Sequence, residues 1–253
     1  MNTLLPKIAL SPLLILAATL AGRRWGEAVG GWFVGLPLTS GPVVLLLALD
    51  HGAGFAVAGA EGALAGTAAE AGFCLAYAAA GRRGWLPAIA AASLAFALCA
   101  AAVRALTLPL LSLLAMAVIS LAAALACLGR SAGAPVRVQA PPRWDLWARM
   151  LVAALLVLGL TSAAPVVGAS TAGVLATYPV FAAVLTVFAH RAQGPAAARS
   201  VLRGLLTGLF AFAGFFFALA LLLPRTGIAL GFGAAAGIAL TIQALSLTLM
   251  ARR

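Results

Sequence analysis

Residues 35–42 read Gly35-Leu36-Pro37-Leu38-Thr39-Ser40-Gly41-Pro42. Two prolines, two glycines and two hydroxyl side chains interrupt an apolar run that is otherwise long enough to cross a membrane. Proline has no backbone donor and clashes with the preceding turn, so it breaks a helix in its interior. A break at that place asks what surrounds it.

The surroundings are apolar almost throughout. Of the 253 residues 64% are hydrophobic and 8% charged, and the mean hydropathy is +1.14. A water-soluble domain cannot hide that much apolar surface. Runs of about 20 apolar residues recur along the chain, without the alternation of a membrane barrel. The expected class is an all-α, polytopic membrane protein forming one membrane domain over 1–253.

The formal charge of +11 would point a soluble protein towards nucleic acid. Here the basic residues gather at helix ends, so membrane topology explains them and no nucleic-acid partner is expected. Cys74, Cys99 and Cys127 are scattered in apolar runs with no metal-like spacing. No phosphate loop, nucleophile–base pattern, metal site or cofactor motif is evident, and no enzyme is expected.

Nine transmembrane helices are predicted, over 8–22, 27–49, 53–80, 85–103, 108–129, 146–163, 166–190, 195–223 and 227–250. Arg23, Arg24, Arg82, Arg83, Arg130, Arg137, Arg143, Arg149, Arg191, Arg199, Arg203, Arg252 and Arg253 then fall on one side. Lys7, Arg104 and Arg225 fall on the other. The positive-inside rule puts the N-terminus outside and the C-terminus in the cytoplasm of a cell membrane, expected to be a bacterial inner membrane. Trp25, Trp85, Trp144 and Trp147 lie at the cytoplasmic ends, where interfacial tryptophans belong. The first apolar run resembles a signal peptide, but its counterpart later in the chain argues against cleavage.

That counterpart belongs to an internal repeat. Shifted by 142 positions, residues 31–80 lie over 173–222 without gaps. Gly31, Gly52, Gly62, Gly66 and Gly72 then meet Gly173, Gly194, Gly204, Gly208 and Gly214, and Pro37 meets Pro179. The shift maps helices 1–4 (repeat 1, 8–103) onto helices 6–9 (repeat 2, 146–250). Helix 5 (108–129) and a cytoplasmic loop (130–145) lie between them. Copies that begin five helices apart cross the membrane in opposite senses. Such inverted repeats are a plan of secondary transporters, with the substrate site near the midplane.

The opening stretch now has a reading. Pro37 and Pro179 interrupt equivalent helices at equivalent depth, and paired interruptions of that kind point to a transporter's binding site. Pro37, Thr39, Ser40 and Gly41 on one copy, with Thr177, Tyr178 and Pro179 on the other, are the candidate substrate- or ion-binding residues. The alternative is a pair of tolerated kinks in packed helices.

Glu70 completes the candidate site. It lies deep in helix 3, where an isolated charge is costly and a carboxylate is a functional hypothesis by default. Gly59, Ala63, Gly66 and Thr67 share its face. Glu61, nine residues away, is about 180° round the helix. The glycines of helices 3 and 8 are expected mainly to permit close packing, Gly62 and Gly66 forming a small-xxx-small pair, and Gln243 is placed to bond across helices. Arg199 and Arg203 are expected to snorkel. Asp50, His51 and His190 read as interfacial.

Helix count, orientation and repeat resemble the ten-helix, five-plus-five inverted transporters with the first helix missing. The bile acid:sodium symporter family and the drug/metabolite transporter superfamily have that plan. The resemblance implies alternating-access transport. It departs from the symporter family in carrying its prolines in helix 2 rather than helix 3, so none of that family's residues is carried over. The expected function is secondary active transport of a small solute, coupled to a proton or sodium ion through Glu70. A passive facilitator or a lipid-translocating protein is the alternative, with a membrane enzyme or a structural subunit ranked below both. The partners implied are the lipid bilayer, the solute and the coupling ion.

Overall fold

The computed structural model describes residues 4–37, 40–129, 144–152, 154–155 and 178–251. Among them there is no strand. The elements are α1 (Leu4–Trp25), α2 (Glu27–Val34), α3 (Ser40–His51), α4 (Ala53–Ala80), a 3-10 turn (Gly81–Arg83), α5 (Trp85–Ala105), α6 (Leu110–Leu128), α7 (Val180–Gln193) and α8 (Pro195–Ala251). Residues 144–152 and 154–155 are also helical.

Among the described residues four stretches are long and apolar enough to cross a membrane: Ala53–Arg83, Trp85–Ala105, Leu110–Leu128 and Pro195–Thr248. The last is bent, because Gly227 is non-helical with φ 78° and ψ 177°. It therefore has two limbs, 195–226 and 228–251, where the sequence predicts two helices. The helix predicted over 27–49 is divided into α2 and α3. The rest of helix 6 and the first half of helix 7 lie outside the described residues.

α4 and the first limb of α8 are the centre of the packing; most of the apolar window of α4 is buried, whereas α5 and α6 bury one face. Phe73, Phe96, Leu121, Leu202 and Leu206 form one core cluster. Ala60, Leu64, Leu113, Phe216 and Leu219 form a second. A third joins α1, α7 and α8 through Ile15, Leu185 and Val201. Inside a bilayer such clusters gain from close packing more than from leaving water, because lipid tails are themselves apolar.

A close approach of two helices is made of glycine. A methyl group on Gly31 would overlap the backbone of Val201, and one on Gly35 would overlap that of Gly208. From the other side, Gly204 lies against Ala28 and Gly208 against Trp32. α2 and α8 thus meet through two small-xxx-small pairs, which let backbones come into contact. The pair expected in helix 3 behaves differently, since Gly62 has open space around it. The crossing is fastened by polar bonds: Gln243 Nε2 donates to the Trp32 carbonyl (3.1 Å), and Trp32 Nε1 donates to Ser246 Oγ (2.8 Å).

The basic ends come together. Asp145 accepts from Arg23 Nη2 (3.0 Å) and from Arg149 Nε (2.9 Å). Gln193 Nε2 donates to Glu27 Oε1 (2.8 Å), and Arg199 Nη2 to the Leu128 carbonyl (3.0 Å). The Arg191 guanidinium lies over the Trp85 ring, 5.4 Å from its centroid. These contacts place the last residues of α1, α6 and α7 beside the first of α2, α5 and α8, at one end of the bundle. Trp25, Trp85, Trp144 and Trp147 are exposed there.

Candidate functional site

The break after α2 is built from its sequence. α2 tightens as it ends: Gly35 N–H reaches both Gly31 and Trp32 carbonyls, and Leu36 N–H reaches Phe33. Pro37 then supplies no donor, and the helix cannot go on. The chain resumes as α3, whose first bond runs from Gly41 N–H to the Pro37 carbonyl (2.9 Å). Ser40 is half-buried and Gly41 is buried, and a Cβ on Gly41 would stand 3.4 Å from the Phe215 ring. Thr39 lies outside the described residues.

The start of α7, at the second predicted break, has a related construction. Pro179 sits at φ −78° and ψ 64°, and Val180 N–H donates to the Tyr178 carbonyl across it (2.8 Å). That is an inverse γ-turn. α7 begins at once, with Ala183 N–H donating to the Pro179 carbonyl (2.8 Å). Both half-helices therefore start on a proline carbonyl, and donor and acceptor in one copy stand 142 positions from donor and acceptor in the other. Thr177 lies outside the described residues.

Around Tyr178 the structure gathers polar tips inside an apolar shell. Its hydroxyl pairs with Ser93 Oγ at 2.8 Å. Its ring meets Phe73 edge-on, with centroids 6.0 Å apart, and Phe96 at 5.5 Å. Four residues along α4 from Phe73, the Tyr77 hydroxyl pairs with His190 Nδ1 at 3.2 Å. A buried tyrosine or histidine needs such a partner.

Glu70 is one turn before Phe73 on α4. It is 9% exposed, and its Oε2 has no hydrogen-bond partner. Ala63, Gly66 and Thr67 of the predicted stripe are buried with it, Gly59 is half-buried, and Glu61 is half-buried on the opposite side. Thr67 Oγ1 spends its hydrogen on the Ala63 carbonyl (2.9 Å). A buried carboxyl oxygen without a partner is expensive; Thr19 Oγ1, Thr186 Oγ1 and Gln243 Oε1 are also buried without one.

The structure thus brings Glu70 to within one turn of the ring that packs on Tyr178, beside Pro179. Pro37 and Gly41 lie along α8 through Gly35 and Phe215. Val34 and Tyr178, which flank the two breaks, pack against the same core cluster. Ser93 and the Tyr77–His190 pair were not expected from the sequence, which assigns His190 to an interface. The signal was there: the chain has two tyrosines, both in apolar segments and both bonded here. Among the described residues no group of three His, Cys, Asp or Glu could hold a metal ion.

No protein-family model, curated protein or solved structure matches the chain.

Proposed function

We propose that the chain is a nine-helix membrane protein with two inverted repeats, N-terminus outside, and that it moves a small solute by alternating access. The observation that carries this is that α3 and α7 begin with the same hydrogen bond, on the carbonyls of Pro37 and Pro179. Interrupted helices at matched positions are how this class of transporter exposes backbone groups to a solute at the midplane. The direction of the helices supports the inversion. α4 ends beside the start of α8, where Gly81 approaches His190 and Pro195, so these repeat-matched helices run antiparallel. Glu70 is the coupling or solute-binding carboxylate. The positive ends of the two half-helices address an acceptor on the solute.

The test begins with a thermal-shift panel of amino acids, organic acids, amines and nucleosides on the purified protein. The stabilising solute is then followed into proteoliposomes with and without an imposed proton or sodium gradient. Accumulation that follows the gradient is expected. Gradient-independent equilibration would make the protein a facilitator, and no flux of any stabilising solute would sink transport altogether.

A further inference from the structure

A groove of about 470 Å³ lies between α6 and the two limbs of α8, well away from Glu70. Leu114 and Val118 form one wall, Ile238 and Ile242 the other, and Phe210 to Leu222 the floor. Every lining residue is apolar. The volume is that of a ligand site rather than a packing defect. Along α8 the floor covers roughly 18 Å, at 1.5 Å per residue. One leaflet's hydrocarbon is about 15 Å thick. Leu111, Ile119, Leu240 and Leu245 around it are exposed, so the groove opens on the side that faces lipid.

A cation stands at its mouth. Arg225 is exposed, and its Nη1 donates to the carbonyl of Leu221, a residue of the groove floor (2.7 Å). Among the described residues Arg225 pairs with no carboxylate. Its remaining guanidinium donors form the fork that suits a phosphate. An apolar channel one leaflet long, with a phosphate-matched cation at its end, has the chemistry of a phospholipid.

We infer that this groove holds one acyl chain of an anionic phospholipid, with the lipid phosphate on Arg225. The inference rests on the membrane reading and not on transport. Full-length protein in detergent micelles is titrated with phosphatidylglycerol or phosphatidylcholine, and bound lipid is counted by native mass spectrometry. One phosphatidylglycerol should be held in preference to phosphatidylcholine. Arg225→Gln should weaken it about tenfold, the scale of a lost charge-assisted hydrogen bond. Val118→Trp fills the groove from a position 38% exposed and should weaken both lipids equally without loss of thermal stability. Equal binding of the two lipids, or phosphatidylglycerol retained by both variants as by wild type, would overturn the site. So would cross-linking through position 118 to a second copy, which would make the groove a dimer interface. Release of the protein from membranes by alkaline carbonate would show instead that the membrane reading itself had failed.

Discussion

Gly52 and Gly194 hold the same backbone geometry 142 positions apart. Gly52 has φ 87° and ψ 172°, and Gly194 has φ 86° and ψ −177°. The N–H of each closes the preceding helix, on Ala48 (3.0 Å) and His190 (2.8 Å). The carbonyl of each opens the next, accepting from Ala56 and Ala198 at 3.4 Å. All of these residues correspond under the same shift. The device turns α3 into α4 and α7 into α8, and it recurs between α1 and α2, where Gly26 has φ 100° and ψ 154°, its N–H closes on Gly22 (2.8 Å) and its carbonyl accepts from Gly30 (3.4 Å).

That conformation belongs almost only to glycine. Gly52→Ala and Gly194→Ala should each destabilise the protein by about 1–3 kcal/mol. Gly62, helical with open space around it, is the contrast: Gly62→Ala should be neutral or stabilise by about 0.5–1 kcal/mol. Thermal denaturation in a single detergent ranks the three. If all three behave alike, the turns are not under glycine control.

The turns and interruptions were legible because glycine and proline act through the backbone, and the backbone rule is local. Pro37 ends a helix whatever packs around it. The contacts between helices were less legible. Gly62 and Gly66 have the spacing of a close-packing pair, as do Gly31 and Gly35, yet the tight crossing uses Gly31 and Gly35 against Gly204 and Gly208. Spacing says that a helix can be approached closely and not which neighbour does so. The Tyr77–His190 and Tyr178–Ser93 bonds join residues 113 and 85 positions apart, and nothing local encodes either. Gln243 was the exception, since a lone amide in an apolar helix must look for a partner on another helix.

Asp145 carries the charge balance of the basic end. The Asp145 and Arg149 side chains are 7% and 4% exposed, and Arg149 also lies over the Phe188 ring at 5.1 Å. Asp145→Ala leaves a buried guanidinium without its carboxylate and should cost about 3–5 kcal/mol. Removing Arg149 as well should restore part of that loss, as coupled neighbours do in a double-mutant cycle. Denaturation of the two single variants and the double variant checks both statements. Additive losses would mean that the pair is solvated.

Arg83, in the 3-10 turn, and Arg225, beside the Gly227 bend, lie at opposite ends of the antiparallel pair of α4 and α8 and are both exposed. Single cysteines are placed at these positions after Cys74, Cys99 and Cys127 are replaced by alanine. An impermeant maleimide applied to intact cells should label Arg225→Cys at once, and Arg83→Cys only after the membrane is opened. The motive is the gathering of basic residues at the Arg83 end. Labelling of both from outside would refute a membrane-spanning bundle, and labelling of Arg83→Cys alone would reverse the orientation.

Glu70 is the residue on which the proposed coupling rests. It is buried one turn from the ring against Tyr178, and its Oε2 has no partner. Glutamine is nearly the same size and can fill the same space, but it cannot exchange a proton or neutralise a cation. Glu70→Gln should therefore insert normally and keep its thermal stability within about 1 kcal/mol, as a near-isosteric change with no cavity does. If Glu70 couples a gradient to the solute, the variant should lose accumulation driven by that gradient. Solute exchange should persist, because exchange needs the alternating movement and not the ion. Proteoliposomes loaded with the stabilising solute separate the two: counterflow measures exchange, and an imposed gradient measures coupling. Gradient-driven uptake at the wild-type rate in Glu70→Gln would leave Glu70 as a packing residue. Loss of counterflow together with uptake would instead assign Glu70 to the solute itself.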